Sequence, residues 1–202
     1  MLLPVAVFPG GQAALAASTP AISRSEAESF VRAMSEQALQ TLTRPDLSDT
    51  ERTRYFRELF NLTADIESIG RFVLGRYWRK ATDAERTEFL KLFEGITAYT
   101  WSKRFKEYAG VGLAVAGIRP SLEEEVVVES TITPPRGAPL SVLWKLKRFE
   151  KGIRVTDFVV EGISMAVTYR SEYSSVIQHS GGELAGLLTA LRAKVDELKR
   201  YD

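Results

Sequence analysis

Near the carboxyl end stands Gly162-Ile163-Ser164-Met165-Ala166, at a point where an alternating apolar run gives way to a helical one. A glycine, a spacer, a serine, a spacer and a small residue come close to the elbow that exposes a nucleophilic serine in hydrolases. Such chemistry needs a histidine, and the chain has one, His179, with Glu172 placed between to complete the order serine, acid, histidine. The spacing rejects the triad. If one helix carries both ends, fifteen residues at a rise of ~1.5 Å set His179 roughly 22 Å from Ser164. The elbow also belongs to a mostly parallel sheet, and the strands here read as antiparallel. The simpler reading is that Gly162 supplies a turn and Ser164 caps the helix after it. No catalytic residue is expected, and the chain is not expected to be an enzyme.

Other chemistry is thinner. With one histidine and no cysteine, only carboxylates remain as metal ligands, and no Asp/Asn-rich calcium loop is present. No metal site is expected, and no glycine loop of the phosphate-cradling kind occurs. Glu123-Glu124-Glu125 is most simply a solvated strand edge. Arg71, Arg76, Arg79 and Lys80 cluster around the stretch GRYWRK. Such a cluster is usually a solvated face. Its functional reading is a contact for a partner or for a phosphate head group.

The elements that position these residues divide the chain in two. The first half reads as helices. Ser25 and Glu28 form a capping box before FVRAMSEQALQTL, where Phe30, Val31, Met34, Ala38, Thr41 and Leu42 share a face. Ser48 and Glu51 form a second box, followed by Tyr55, Phe56, Leu59 and Phe60 facing inward. Asp65 to Leu74 carries Ile66, Ile69, Phe72 and Val73 at helical spacing. Thr82 and Glu85 form a third box and open a long helix with two apolar stripes. Phe89, Leu92, Phe93, Ile96 and Tyr99 make one; Trp101, Phe105 and Tyr108 make the other, and Gly110 and Gly112 end it. A helix apolar on two sides touches two neighbours, or one neighbour and a ligand.

The second half changes period. GLAVAGIRPSL, EEEVVVESTITPP, PLSVLWKLKRFEK and GIRVTDFVVEG are punctuated by Pro, Gly or charge, the pattern of an antiparallel meander. Val126, Val128 and Ile132 fall on one face, as do Val142, Trp144 and Leu146. The run from Val155 to Val160 is apolar on both faces, which requires cover on both sides. Two helices follow, one from about Ile163 to Gln178 and one carrying Leu184, Leu187, Leu188, Leu191, Val195 and Leu198. The fold class expected is α+β: a curved antiparallel sheet of about four strands wrapped by several helices around an apolar pocket.

The 202 residues suit one domain with a substantial core. Lys+Arg (27) and Asp+Glu (26) nearly cancel, so no global field points to nucleic acid or an anionic surface. At the amino end, a short apolar run precedes Ala14-Leu15-Ala16, the A-x-A pattern of a signal-peptidase site. No Lys or Arg precedes that run, and Gly10-Gly11 interrupts it. The expectation is an export leader over residues 1–17, cleaved near Ala16, and a single domain over 18–202.

The apolar supply of the helices and of the last strand has two readings. One is a well-packed core. The other is an enclosed apolar cavity, the usual form of a small-molecule site.

Three segments, taken together, resemble the MlaC family of periplasmic phospholipid carriers, also known for toluene tolerance and as an auxiliary component of an ABC transporter. They are FVLGRYWRKATDAERTEFLKLFEGITAYTW, TITPPRGAPLSVLWKLKR and VTDFVVEGISMAVTYRSEYSSVI, and the resemblance covers roughly residues 23 to 198. It implies a periplasmic carrier that shuttles phospholipid between the outer and inner membranes and so maintains outer-membrane asymmetry. The implied partners are an outer-membrane lipoprotein–porin complex and an inner-membrane ABC transporter with its MCE-domain ring. Nucleic acid is not among them, and a monomer is expected. Phospholipid is cargo, and no cofactor is implied. The pocket would be lined by Phe72, Leu74, Tyr77, Phe93, Ile96, Val128, Ile132, Val142, Trp144, Leu146, Phe158, Val160, Ile163, Met165 and Val167. A binding protein for another apolar ligand, a quinone or a sterol-like lipid, is the alternative; a serine hydrolase comes last.

Overall fold

A computed structural model describes residues 21–105, 111–120, 125–134 and 137–200. The expected leader, Tyr108, Gly110, Glu123 and Glu124 lie outside the described residues.

Five helices come first: α1 (Arg24–Leu42), α2 (Asp49–Thr63), α3 (Ile66–Leu74), α4 (Arg76–Lys80) and α5 (Asp83–Arg104). Two of the expected capping boxes are present, at Ser48 with Glu51 and at Thr82 with Glu85. The first is not where the sequence suggested. The stretch SRSEAES holds two overlapping boxes, and Ser23 with Glu26 forms instead of Ser25 with Glu28. Two contacts decide between them. The Glu26 carboxylate also takes a hydrogen bond from Arg148 at 2.6 Å, and Ile22, just before the cap, is buried against the sheet.

The sheet follows as β1 (Gly112–Pro120), β2 (Glu125–Thr133), β3 (Leu140–Phe149), β4 (Gly152–Val160) and β5 (Ile163–Ser164), in that spatial order and antiparallel throughout. Register places Val128, Trp144 and Phe158 side by side across three strands, with Ser130, Val142 and Val160 as the next row. The two apolar sets expected on β2 and β3 therefore share one face. The last helices are α6 (Met165–His179) and α7 (Leu184–Arg200).

The short strand β5 replaces the expected start of the helix at Ile163. Val160 pairs with Ile163 across a two-residue turn in which Glu161 and Gly162 both have positive φ, 49° and 80°. Two left-handed residues make the primed turn that matches strand twist. Glu161 pays for this conformation with local bonds: its N–H donates to the Ser141 carbonyl, and its carboxylate accepts from the Ser141 N–H. Farther along the outer edge of β4, the α2–α3 connection covers Val155, where Asp65 N–H donates to the Val155 carbonyl at 3.1 Å. An edge left unpaired there would invite foreign strands.

Two clusters form the interior. A helical one gathers Val73, Leu74, Tyr77, Trp78, Phe89, Phe93, Tyr173, Ile177 and, from α7, Leu184, Leu187, Leu188 and Leu191. A second packs Ala27, Val31 and Met34 of α1 on Val128, Leu146 and Val155 of the sheet. Among the described residues, no helix is long and apolar enough to cross a membrane.

Candidate functional site

The serine corner is a structural joint. Ser164 Oγ accepts from the Val167 N–H at 3.1 Å, the expected cap, and donates to Asp157 Oδ2 at 2.6 Å. Asp157 is buried in β4 and also accepts from the Ala166 N–H and from Lys145 Nζ at 3.2 Å. The serine proton is thus committed to a carboxylate. His179 sits at the far end of the unbroken α6, where Nδ1 meets the Ser175 carbonyl at 2.8 Å. Ser164, Glu172 and His179 do not converge. Among the described residues, no three His, Cys, Asp or Glu side chains gather as a metal site.

The residues expected to line a pocket fall into three groups. Leu74, Tyr77 and Phe93 are buried in the helical cluster, with Ile96 packed against it. Val128, Val142 and Leu146 are buried on the sheet face, where Ile132, Trp144, Phe158 and Val160 keep part of their surface. Phe72, Ile163 and Val167 lie outside, between 42% and 59% exposed, and Met165 is half-buried.

Aromatic pairs carry α5 onto the sheet on one side and onto α6 on the other. Trp101 of α5 meets Phe158 edge-on at 5.2 Å, Phe158 lies 6.4 Å from Trp144, and Phe93 meets Tyr169 of α6 edge-on at 5.6 Å. Tyr169 and Tyr173 have phenol pKa values above the ordinary range because burial disfavours their charged forms. The Trp144 indole donates to Ser130 Oγ at 2.8 Å, and Ser130 donates on to the Val142 carbonyl. Polar atoms on this face are therefore turned to each other, and what the wall presents is hydrocarbon and ring. Trp101 was visible as part of an apolar stripe, but nothing in its spacing tied it to β4.

The basic cluster is a built groove. Arg71, Arg76 and Arg79 line a groove of about 680 Å³ together with Trp78, Arg86 and Arg170; Lys80 is exposed but does not line it. A smaller cleft of about 250 Å³ shares Gly75, Arg76 and Arg170 and adds Tyr77, Ser174 and Gln178. Gly75 breaks the helix between α3 and α4 at φ +53°, and a Cβ there would stand 3.0 Å from the Arg170 guanidinium. The positive φ requires glycine, and the bare backbone leaves room for the Arg170 guanidinium. The guanidinium groups rest on rings: Arg170 over Phe72 at 5.0 Å, Arg76 over Tyr77 at 4.9 Å, Arg86 and Arg71 over Trp78 at 5.5 and 5.8 Å. Arg86 pairs with Asp83 and Arg71 with Glu67. Arg76, Arg79 and Arg170 form no ion pair among the described residues. Arg76 donates to the Tyr77 hydroxyl at 2.8 Å, and that bond is the main cause of a lowered phenol pKa. Arg170 lies more than ninety positions along the chain from Arg76, so local charge pattern could not have found it.

Residues 32–193 match the model of a family described as MlaC protein. A toluene tolerance protein of Pseudomonas putida, ttg2D, is 21% identical over 137 residues, covering 67% of this chain and 64% of the relative. The match thus spans less than two thirds of that relative's length. A phospholipid-binding protein from Ralstonia solanacearum, solved in complex with a phospholipid, superposes with a TM-score of 0.78 at 21% identity, over 86% of this chain and 98% of that one. That likeness shows the same fold, as expected from the sequence.

Proposed function

Because the chain belongs to the MlaC family, we infer that it is a periplasmic carrier that binds phospholipid and moves it between the outer and inner membranes for an Mla-type ABC transport system. The observation that carries this reading is the family match across residues 32–193, from α1 into α7. The fold shared with a protein solved around a phospholipid supports it. So does the apolar sheet face at Trp144, Phe158, Val160 and Ile132, with surface left to give to a ligand.

The magnitudes suit cargo held by burial. Each acyl CH₂ is worth ~0.8 kcal/mol, so a chain of some fourteen would cost roughly 11 kcal/mol to expose. A carrier must replace nearly all that contact, and release needs a partner that opens or competes with the site. The partners in this reading are an outer-membrane lipoprotein–porin complex and an inner-membrane transporter with an MCE-domain ring. The carrier domain occupies residues 18–202 after an export leader over 1–17, and it performs no catalysis.

Organic extraction of purified protein followed by mass spectrometry tests the cargo. Diacyl phospholipid is expected; a quinone or sterol-like lipid moves the assignment to another apolar ligand, and an empty extract defeats both. Amino-terminal sequencing of the periplasmic fraction tests the leader: the mature chain should begin near Ala17.

A further inference from the structure

We propose that the arginine groove at the α3–α4 break is a binding site for a phosphate ester, with Arg76, Arg79 and Arg170 as its oxyanion ligands. Three guanidinium groups with no carboxylate partner among the described residues stand around one cleft in a protein whose net charge is only +1. Like charges at this density repel one another, and with Asp83 and Glu67 answering only Arg86 and Arg71 the groove keeps an excess of positive charge that an anion completes.

The groups are also held ready. Arg170 lies between the Phe72 ring and the bare backbone of Gly75, and Arg76 lies on Tyr77. Stacking on a ring leaves the N–H edge of Arg170 free, Arg76 keeps the N–H groups it does not give to the Tyr77 hydroxyl, and a guanidinium edge matches two phosphate oxygens at once. The smaller cleft adds neutral polar groups at Ser174 and Gln178, which suit the ester portion beside the charge. Concavity favours a compact anion over an acidic protein, since a protein docked stably would require about 800 Å² of matching surface on each side.

The source of the phosphate is either a phospholipid head group or a free phosphate compound. Only the first of these rests on the carrier reading. Calorimetric titration of the full chain with glycerol 3-phosphate, inorganic phosphate and dihexanoyl phosphatidylglycerol separates them. Glycerol 3-phosphate should bind, more weakly as salt rises, and R76Q/R170Q should lose roughly tenfold or more in affinity. Tighter binding of the dihexanoyl lipid than of glycerol 3-phosphate, lost in the same variant, identifies a head-group site. Equal binding of inorganic phosphate and both esters identifies a free-phosphate site, and either outcome upholds the groove.

Binding unchanged in the double variant overturns the proposal, as does a wild-type chain that binds none of the three probes at millimolar concentration. So does binding of polyglutamate that depends on Arg76 and Arg170 while the phosphate probes give no signal, which makes the groove a protein-docking surface. Should R76Q/R170Q fail to fold, the exposed Arg79→Gln carries the same test. Because glycerol 3-phosphate has no acyl chain, an empty lipid extract would defeat the carrier reading and leave this result untouched.

Discussion

Ser164 Oγ and Asp157 Oδ2 lie 2.6 Å apart, binding the start of α6 to the middle of β4. The same hydroxyl caps the helix at the Val167 N–H. Ser164→Ala should therefore cost stability and nothing else: about 1–2 kcal/mol for the cap and the lost bond to Asp157 together, in a urea titration with unchanged slope, and unchanged bound lipid. Asp157→Ala should cost more, about 2–3 kcal/mol, because the buried Ala166 N–H and Lys145 both lose their acceptor. A larger loss for the serine than for the aspartate would contradict this account.

Ile163 and Trp144 answer different questions about the lipid path. Ile163 is 59% exposed, so Ile163→Asp should fold normally by circular dichroism. If acyl chains pass this corner, the carboxylate should lower lipid per protein, because burying it unpaired costs several kcal/mol. Full lipid occupancy in the folded variant removes the corner from the path. Trp144→Phe keeps an aromatic side chain but loses the bond to Ser130 and the bulk of the indole, and should cost about 1–3 kcal/mol. Trp144→Asp should lose its lipid or unfold.

Acid should loosen the attachment of α1. Hydrogen bonds from the Ser23 side chain and backbone, then from Arg148, hold the Glu26 carboxyl down at about 2, below its ordinary 4.5. A carboxylate with a depressed folded-state pKa stabilises above its unfolded value and loses that contribution as pH falls toward the folded one. Thermal unfolding between pH 5 and about 2 should thus show a decline that is shallower in Glu26→Gln. The Glu51 and Glu85 caps shift the same way, again chiefly through bonds to their Ser48 and Thr82 partners.

Arg52 is the least expendable charge. It is 2% exposed and donates to the carbonyls of Leu42, Arg44 and Leu47, stitching the connection between α1 and α2. Arg52→Met should cost about 3 kcal/mol or more, since three acceptors lose a charged donor together. A chemical denaturation midpoint equal to that of wild type would refute the role.

Much of the frame was legible because local rules and tertiary packing agree. Thr82 with Glu85 opens α5 as read, and alternation on β2 and β3 gave the shared face of Val128 and Trp144. The misread box at Ser25 had an equally good local pattern; only Arg148, far along the chain, selects Glu26. Ile163 reads as helical by composition, yet a turn with Glu161 at positive φ draws it into a strand pair. Of the site, the arginines on α3 and α4 were visible as a cluster. Arg170 and Asp157 stood only inside the segment that carries the family resemblance, with no role given, because their importance comes from groups brought to them by the fold.

The order of the sheet bears on how the molecule is made. Each strand pairs with the strand next to it in the chain, so the sheet can grow hairpin by hairpin as residues emerge. The helical interior has no such sequence. Leu187, Leu188 and Leu191 of α7 must close over Phe89 and Phe93, and Arg192 reaches Glu88 across 104 positions. Contacts so distant carry a loop-closure cost that must be met before they reward it. A nascent chain can therefore hold a finished sheet beside a helical layer that stays open until α7 folds onto α5.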